Sequence, residues 1–397
     1  MNYHNALIGL TQNWTGDQWT NESTIYATGF YFDHPFNFDY KRETNLGAGG
    51  RTTFERTFAL GTAALKTSVG GEYQLQYRMA NNFGNDGGQP ADLNFSDEID
   101  TRQGIGFAQA ILDLSAGWRV TAGLSANTLR YQVDRTFDAN AQPGAAESDF
   151  GLVLSPRLAV LKELRSVSIY ASVADGFSPP TLDEFRTNEG SLNVTLAPER
   201  GVNYEVGAKG NLDRISYELA IYHFNLRESI TTFSDERDTR LFQNAGGTRQ
   251  YGIEISGRYA LLEQLQLGAN YTYQEFTYRD FVRDGNDVSG AQLPGSAPHT
   301  INLLVDYGFA TGLYANVHYN YTDAIPLNDA GTVFGNAYHL LRARLGWRAG
   351  RWDVFLSGNN LLDQEMSFGN DLNPRFGGRY FQPAAGINGV AGVKWRW

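Results

Sequence analysis

The chain has 397 residues, a formal net charge of −11 and no cysteine. The acidic balance argues against a nucleic-acid-binding protein, and the lack of cysteine excludes disulfides and cysteine metal sites. No stretch approaches the roughly 18 consecutive apolar residues of a transmembrane helix, so a helical membrane protein is excluded. The 44 glycines and 22 tyrosines, beside only 3 methionines, are typical of a large antiparallel β structure.

The N-terminus lacks the features of an export signal. Met1 to Asn5 carry no lysine or arginine, and no apolar segment of signal-peptide length follows them. The rest of the chain nevertheless has the pattern of an exported protein. We therefore expect the natural start of the protein to lie upstream of this sequence.

Alternation of apolar and polar residues is the dominant pattern along the chain, and it predicts strands with one apolar face. The run from Ile215, for example, places Ile215, Tyr217, Leu219 and Ile221 on one face. No domain boundary interrupts the series. The 17 predicted runs lie near residues 3–13, 20–33, 42–57, 66–80, 101–114, 117–133, 148–162, 166–178, 199–210, 215–230, 249–260, 264–279, 298–309, 312–324, 335–348, 351–363 and 385–397.

The length of these runs distinguishes two kinds of β protein. Strands of soluble domains are usually about 5–6 residues long, whereas a tilted strand that crosses a membrane needs about 9–11. The clearest runs here are 11 to 16 residues long. Long strands with one apolar and one polar face predict an all-β protein, an antiparallel transmembrane β-barrel with a wet interior.

Short and long connections alternate along most of the chain, as in outer-membrane barrels with short periplasmic turns and longer extracellular loops. With 17 strands and a periplasmic C-terminus, the first strand would start outside, whereas barrels of this class have an even number of strands. We therefore expect either at least one further strand upstream or a strand count that is wrong by one. All seven tryptophans lie near the predicted periplasmic edge, where the ring suits a membrane interface. The predicted long connections are 81–100, 134–147, 179–198, 231–248, 280–297, 325–334 and 364–384.

Five groups of short motifs follow one another across about residues 165–397. They read SVADGFSPPTLDE at 172–184, LAPER with YEVGAK at 196–209, FQNAG with YGIE at 242–254, NNLLD at 359–363 and GGRY at 377–380. In this order and spacing the set resembles the barrel of TonB-dependent outer-membrane receptors of the siderophore-receptor kind. The residues that carry the resemblance are Phe177, Pro179, Glu184, Pro198, Glu199, Glu205, Gly207, Asn244, Gly252, Glu254, Asn360, Asp363 and Arg379.

The resemblance implies a Gram-negative outer-membrane transporter that binds a metal chelate, most often a ferric siderophore, and is driven by the TonB complex. It also implies contact with outer-membrane lipid and with the barrel assembly machinery, which reads a C-terminal aromatic; Trp395 and Trp397 occupy that place. The family has an N-terminal plug, a TonB-contact segment and about 22 strands. We therefore expect residues 1–397 to be the C-terminal barrel portion, about 17 of those strands, without the plug.

Six polar residues on the predicted inward parity are candidates for ligand binding. Arginine is the sensible partner of an anionic ferric chelate, because its fork donates to carboxylate or catecholate oxygens. We expect Tyr338, His318 and Asn320 to lie high enough for a ligand from outside, and Arg342 and Arg344 to lie deeper. The interpretation that we favour is that all six are ordinary polar residues of a wet lumen. The candidates are Tyr338, His318, Asn320, Asn203, Arg342 and Arg344.

Catalysis is not expected. The six histidines are scattered, and the chain contains no HExxH, G-x-S-x-G or P-loop motif, so we predict neither an enzyme nor a resident metal or cofactor. The motif residues are interpreted as structural, with prolines that end a strand and glycines that allow close approach. Two alternatives stay open: a passive, plugless porin-like channel, and a surface adhesin or soluble β-repeat protein. The sequence does not identify the chelate.

Overall fold

A computed structural model of the protein describes residues 2–36, 39–186, 192–234, 240–283, 285–366 and 383–396. Within these ranges the regular structure is β-strand, apart from one 3-10 turn at Ser115–Gly117 and one short helix, α1, at Leu182–Phe185. None of the helical segments in the described residues is long and apolar enough to cross a membrane.

The strands follow one another through the whole chain. In order they are β1 (Asn2–Thr15), β2 (Trp19–Pro35), β3 (Asp39–Leu60), β4 (Ala63–Asp86), β5 (Gln89–Leu114), β6 (Trp118–Asp138), β7 (Gly144–Asp149), β8 (Val153–Glu163), β9 (Val167–Ser178), β10 (Glu199–Leu212), β11 (Ile215–Ser234), β12 (Arg240–Leu262), β13 (Leu265–Tyr278), β14 (Val282–Arg283), β15 (Asn286–Asp287), β16 (His299–Gly308), β17 (Leu313–Thr322), β18 (Ile325–Pro326), β19 (Phe334–Gly335), β20 (Tyr338–Ala349), β21 (Trp352–Asn359) and β22 (Asn388–Trp395).

Eighteen of these strands belong to one sheet, and β14–β15 and β18–β19 form two separate small hairpins. The ladders are antiparallel, so the predicted all-β antiparallel fold is confirmed. The 17 predicted runs become 18 strands because the run near 148–162 is divided. Its two parts, β7 and β8, both pair with β6.

Three of the predicted long loops are wrong, because the strands continue through most of them. The segment 81–100 is the tip of the β4–β5 hairpin, in which Asp86 pairs with Gln89 around Gly87 and Gly88. Both glycines have positive φ, 57° and 90°, which suits a tight turn. The alternation is broken here, because the charged Asp97 stands between the apolar positions Phe95 and Ile99 and the register shifts between Asn82 and Asn85. Period-two patterning therefore did not reveal the pairing. The same correction applies to 134–147 and 231–248, where β6, β11 and β12 extend beyond the predicted runs.

The first of two compact units comprises residues 1–160, 174–200 and 240–243. Its strands β1 to β6 pair in chain order. The core of this unit lies on one face of the sheet, where the segment that follows β9 packs against it. Its buried side chains are Ala80, Ile99, Leu129, Tyr131 and Val133 of the sheet and Phe185 of α1.

The second unit comprises residues 161–173, 201–239 and 244–397. Its two sheet faces differ in chemistry. The apolar face exposes side chains such as Leu303, Val305, Leu345 and Leu356, each more than a third accessible. A contiguous exposed apolar face of this extent is unusual for a water-soluble protein. The polar face, one residue out of phase, carries Asn302, Asn316, His318, Arg342 and Arg344.

The tryptophans lie at the ends of strands beside short turns. The six in the described residues are all exposed, and Trp352 lies directly opposite Trp395 in the register of β21 and β22. The indole of Trp347 donates to the backbone oxygen of Thr311 in the neighbouring turn at 3.2 Å. Trp397 lies outside the described residues. An apolar ring with one satisfied N–H suits a membrane–water interface.

Candidate functional site

Two of the predicted ligand-binding residues share a partner on the polar face of the second unit. The Nδ2 of Asn320 donates to Oδ1 of Asn302 at 3.0 Å, and Nε2 of His318 lies 3.1 Å from the same oxygen. The register places Asn302 of β16 opposite Asn320 of β17, which is why the three side chains meet. Asn302 was not predicted, because nothing in its local pattern separates it from other polar residues of the strand.

Two further candidates lie on the adjacent strand. Arg342 of β20 is opposite His318, and Tyr338 is opposite Thr322 near the start of the strand. Since opposite residues share a face, Tyr338, Arg342, His318 and Asn320 form one polar surface over two strands. We name this surface the polar wall. It offers amide, imidazole, phenol and guanidinium groups, all of which can donate to ligand oxygens.

Arg344 lies two residues beyond Arg342 on the same strand, towards the end that carries Trp347. Its Nε donates to Oγ of Ser357 at 2.7 Å, and its guanidinium lies 4.2 Å from the centre of the Phe355 ring. A recess of about 410 Å³ opens beside it. The lining residues include His318, Arg342, Arg344, Asn316, Phe355 and Ser357.

Asn203 does not join the other candidates. It lies on β10, whose neighbours in the sheet are β9 and β11, so several strands separate it from β17 and β20. The sequence parity alone could not reveal this separation, because parity gives the face of a residue but not its neighbours.

Two motif glycines of the second unit, Gly207 and Gly252, lie against tyrosine side chains of neighbouring strands. The hydroxyl of Tyr170 donates to Oε1 of Glu205 at 2.7 Å, and a Cβ at Gly207 would overlap the Tyr170 ring. A Cβ at Gly252 would lie 2.5 Å from the hydroxyl oxygen of Tyr222. These glycines therefore make room for tyrosines of neighbouring strands, while Glu254 lies on the same face as Gly252.

Asn244 has a local structural role. Its Nδ2 donates to the backbone oxygen of Glu228 at 2.7 Å, and the next residue, Ala245, is fully buried. Ala245 packs with Tyr278, Phe281 and Val288, where the connection after β13 folds against the strand ends. The motif thus attaches the first residues of β12 to the small hydrophobic cluster that the connection after β13 forms.

That connection contains an ordered polar cluster. The hydroxyl of Tyr278 donates to Oδ1 of Asp329 at 2.7 Å, and Arg283 forms an ion pair with the other oxygen of the same carboxylate. In the nearby hairpin, side-chain and backbone hydrogen bonds from Ser289 hold the pKa of Asp287 below its usual value. The 280–297 connection, predicted as a loop, therefore has its own folded structure.

The NNLLD motif closes the connection after β21. The Nδ2 of Asn360 donates to the backbone oxygens of Gln364 and Ala385 at 3.0 and 3.1 Å, and its Oδ1 accepts from the Gln364 N–H at 2.9 Å. Asp363 accepts from the N–H of Ile387 at 2.9 Å. Asn360 also has a positive φ of 48°, a conformation that asparagine tolerates better than most residues.

Replacing Asn360 by alanine should destabilise the folded chain by about 1–3 kcal/mol, because three backbone groups lose the partner that this buried side chain supplies. The matched control is Asn359→Ala, one residue earlier, whose side chain makes an exposed hydrogen bond to Asn388. Urea unfolding followed by tryptophan fluorescence measures both. Equal losses for the two variants would contradict the role given to Asn360.

In the first unit, the motif after β9 folds into a compact element that we name the α1 segment (Pro179–Arg186). The strand ends at Ser178, before the two prolines, as predicted. Thr181 and Glu184 form a capping box: Thr181 N–H donates to Oε2 of Glu184 at 2.6 Å, and Glu184 N–H donates to the Thr181 hydroxyl. Glu184 therefore has a structural role that sequence spacing alone could have suggested.

The α1 segment is held on the sheet by apolar and polar contacts. Phe185 is buried beside Tyr131, with ring centres 5.8 Å apart. The Tyr131 hydroxyl donates to the backbone oxygen of Pro180 at 3.1 Å.

A fully buried carboxylate, Asp97, adds an ionic contact. It accepts from Nε of Arg135 at 2.8 Å and from Nε of Arg186 at 2.5 Å, and both guanidinium groups lie over the Phe95 ring. The sequence analysis missed this cluster, because its members are separated by up to 89 positions.

The remaining motif residues are placed as follows. The guanidinium of Arg200 lies 5.9 Å from the centre of the Phe177 ring. Glu199 begins β10, and Pro198 precedes it. Arg379 lies outside the described residues. In the described ranges no group of three or more His, Cys, Asp or Glu side chains could hold a metal ion.

Comparison with known proteins adds the family. The model described as "TonB dependent receptor-like, beta-barrel" matches residues 2–361. The ferric-pyoverdine M114 receptor PbuA of Pseudomonas sp. (strain M114) is 27% identical over 225 residues, which cover 53% of this chain and 26% of that protein.

Two solved structures show the same fold at low identity. The siderophore receptor PiuA from Acinetobacter baumannii has a TM-score of 0.78 and 16% identity, over 99% of this chain and 64% of that one. The ferric-catecholate import receptor Fiu from K12 E. coli in its closed form has a TM-score of 0.76 and 17% identity, with the same coverages of 99% and 64%. This chain thus spans less than two thirds of each of these relatives. On the family match, the chain belongs to the TonB-dependent receptor-like β-barrel family.

Proposed function

We propose that this chain is the barrel portion of an outer-membrane transporter that takes up a metal chelate, and that the chelate is a ferric siderophore. The family match over residues 2–361 carries the proposal. The similar proteins include a ferric-pyoverdine receptor and a ferric-catecholate import receptor, which supports the chemical class of the ligand. The protein itself supplies no catalytic step.

The apolar face of the sheet would contact the lipid of a Gram-negative outer membrane, and the polar face would line the lumen. In that arrangement the polar wall meets a ligand that enters from outside. His318, Asn320 and Tyr338 would donate hydrogen bonds to the oxygens of the chelate. Arg342 would add a charge-assisted hydrogen bond, which is roughly twice as strong as a neutral one.

Partners are proposed on the same basis. The TonB complex would drive transport through a plug, and the barrel assembly machinery would insert the strands, with Trp395 and Trp397 as the aromatic terminus that it reads. The rival function is a passive porin-like channel, which would use the same wet interior without a specific ligand.

Ligand binding separates these two functions. The chain is refolded into phospholipid vesicles and titrated with ferric pyoverdine and with the ferric complex of 2,3-dihydroxybenzoate, while tryptophan fluorescence is recorded. At least one probe should bind saturably. The double variant His318→Ala, Asn320→Ala should weaken binding tenfold or more, because it removes two donors of the polar wall.

Asn211→Ala is the matched control, since it deletes an amide at the far end of β10 and should leave binding unchanged. Liposome swelling with small sugars is measured on the same vesicles. Steady flux of these sugars without saturable binding of either ferric probe would contradict the proposal and support the passive channel.

A further inference from the structure

One arginine of the first unit stands on an apolar face of the sheet. The side chains that β2 and β3 expose on this face include Ile25 and Phe54. Arg56 is two residues beyond Phe54 on β3, so pleat parity places it on the same face. The opposite face carries polar contacts such as the ion pair of Glu55 with Lys66. A charged side chain therefore interrupts a row of exposed apolar ones.

Two aromatic rings and an amide hold the guanidinium of Arg56 in place. Its Cζ lies 5.0 Å from the centre of the Trp19 ring and 4.4 Å from the centre of the Phe58 ring. Its Nη2 donates to Oε1 of Gln18 at 2.5 Å. We name Gln18, Trp19, Arg56 and Phe58 the Arg56 clamp. Because the clamp fixes the side chain, its fork loses little rotational freedom when it binds a ligand.

The positive charge of Arg56 has no counter-ion in the described part of the chain. No carboxylate oxygen of those residues lies within 4.0 Å of its nitrogens. Of the five N–H groups of a guanidinium, only one has an acceptor there, and Nε is buried without a partner. Ring faces attract a cation but carry no net negative charge. The clamp therefore offers a charge and unused donors to an anion.

The depth of the clamp in a bilayer determines which anions reach it. An arginine on the lipid face of a barrel is costly at the midplane but costs little near the interface, and tryptophan is enriched at the interface. Arg56 lies directly opposite Trp19, which follows the short turn at 16–18. The clamp thus lies at the interface on the side of the short turns. The anions that a bilayer presents at this depth are the headgroup phosphates of its lipids.

We infer that the Arg56 clamp binds the phosphate of a glycerophospholipid in the leaflet on the side of the short turns. The arginine fork matches two phosphate oxygens with parallel hydrogen bonds. The amide nitrogen of Gln18, which has no acceptor among the described residues, can donate a further one. The exposed ring of Phe54 offers apolar surface to an acyl chain. The inference rests on the membrane placement in the function proposed above, but not on the identity of the chelate.

Native mass spectrometry of the whole 397-residue chain in dodecyl maltoside micelles measures the binding of single lipid molecules. The probe is dioleoyl phosphatidylglycerol. The comparison lipid is dioleoyl monogalactosylglycerol, which has the same acyl chains but no phosphate. We expect one saturable site for the phospholipid and at least tenfold weaker binding of the galactolipid. Equal affinities for the two lipids would show that the acyl chains alone are recognised and would overturn the inference.

Two variants address the clamp itself. Arg56→Ala should weaken phospholipid binding tenfold or more, because it removes the fork. Gln18→Glu should do the same without loss of the fold, because a carboxylate beside Arg56 neutralises the guanidinium and repels the phosphate. The shift of the unheated band in SDS gels reports folding of each variant. Phospholipid affinity that stays at the parent value in either folded variant would overturn the inference.

The matched control for these variants is Arg119→Ala. Arg119 follows Trp118 near the same edge of the sheet, lies on the opposite face by parity, and pairs with Asp113 at 2.5 Å. Its removal changes the charge of the chain as Arg56→Ala does, but it should leave the phospholipid affinity at the parent value. An equal loss in both variants would show that the effect comes from overall charge and would contradict a site at Arg56.

A soluble phosphate separates a lipid site from a general phosphate site. Glycerol 3-phosphate in large excess should not displace phosphatidylglycerol, because it has no acyl chain to lie against the apolar face. Displacement would show a site for soluble phosphates and overturn the inference. The ferric probes keep this result separate from the proposed function. Selective phospholipid binding without binding of either ferric probe would retain the clamp and remove the siderophore function, and the reverse result would do the opposite.

Discussion

Ile255→Arg should destabilise the chain folded in a lipid bilayer by about 2–4 kcal/mol, the cost of an arginine on the lipid face of a barrel near the bilayer midplane. Ile255 lies on the apolar face of β12, where 47% of its surface is exposed. In a protein whose apolar face meets lipid, the new guanidinium would have to leave water or distort the bilayer.

The neighbouring variant Ser256→Arg is the matched control. Ser256 pairs with Asn270 on the polar face, and Glu254 lies two residues away on that same face. Its cost should be about 0–1 kcal/mol, as for a charge in a watery environment. The free energies of unfolding of both variants are to be measured by urea titration of the chain in phosphatidylcholine vesicles. Equal costs for the two variants would show that the apolar face does not meet lipid.

Asp97→Asn should cost about 3–5 kcal/mol, the usual penalty for removing one partner of a buried ion pair. The asparagine keeps the shape of the side chain. However, it removes the charge that the buried guanidinium groups of Arg135 and Arg186 share, and Arg135 then keeps only its ion pair with Asp138. The side chain of Asp97 is fully buried, so water cannot replace the carboxylate without opening the cluster.

Asp183→Asn is the control for this change. Asp183 lies on α1, its side chain is 85% exposed, and its nearest cation is Arg78 at 3.9 Å. An exposed pair of this kind contributes about 0–1 kcal/mol. Chemical unfolding gives the two free energies, and hydrogen exchange over Pro179–Arg186 reports whether the α1 segment loosens. Unchanged exchange in Asp97→Asn would refute the view that Asp97 holds the segment on the sheet.

The α1 segment gives a physical account of the motif at 172–184. The prolines stop the strand, the capping box turns the chain, and Phe185 fills the core formed by Tyr131 and its neighbours. The ionic cluster then secures the end of the segment at Arg186. The motif itself contains the prolines and the capping box. The residues that Phe185 and Arg186 contact lie far away in the chain, on β5 and β6.

Strand identity, the two faces and the strand-ending prolines could be read from the chain alone. Period-two alternation depends only on local side-chain chemistry, so it predicted the all-β fold and the face of His318, Arg342 and Glu205. It failed towards the β4–β5 tip, where Asp97 interrupts the apolar positions Phe95 and Ile99 and the register shifts between the strands. It also missed the short hairpins β14–β15 and β18–β19, which are held by loop contacts such as that of Tyr278 with Asp329.

Amino-acid order by itself determined which side chains point to the apolar and to the polar face, because that choice follows from pleat parity. Only the tertiary structure decided which polar residues meet: Asn302 with His318 and Asn320, Asp97 with Arg135 and Arg186, and Arg344 with Phe355. Register between strands and burial of charge depend on residues far apart in the chain, so one strand's pattern cannot specify them. For the same reason Asn203, correct in parity, lies several strands from the other candidates.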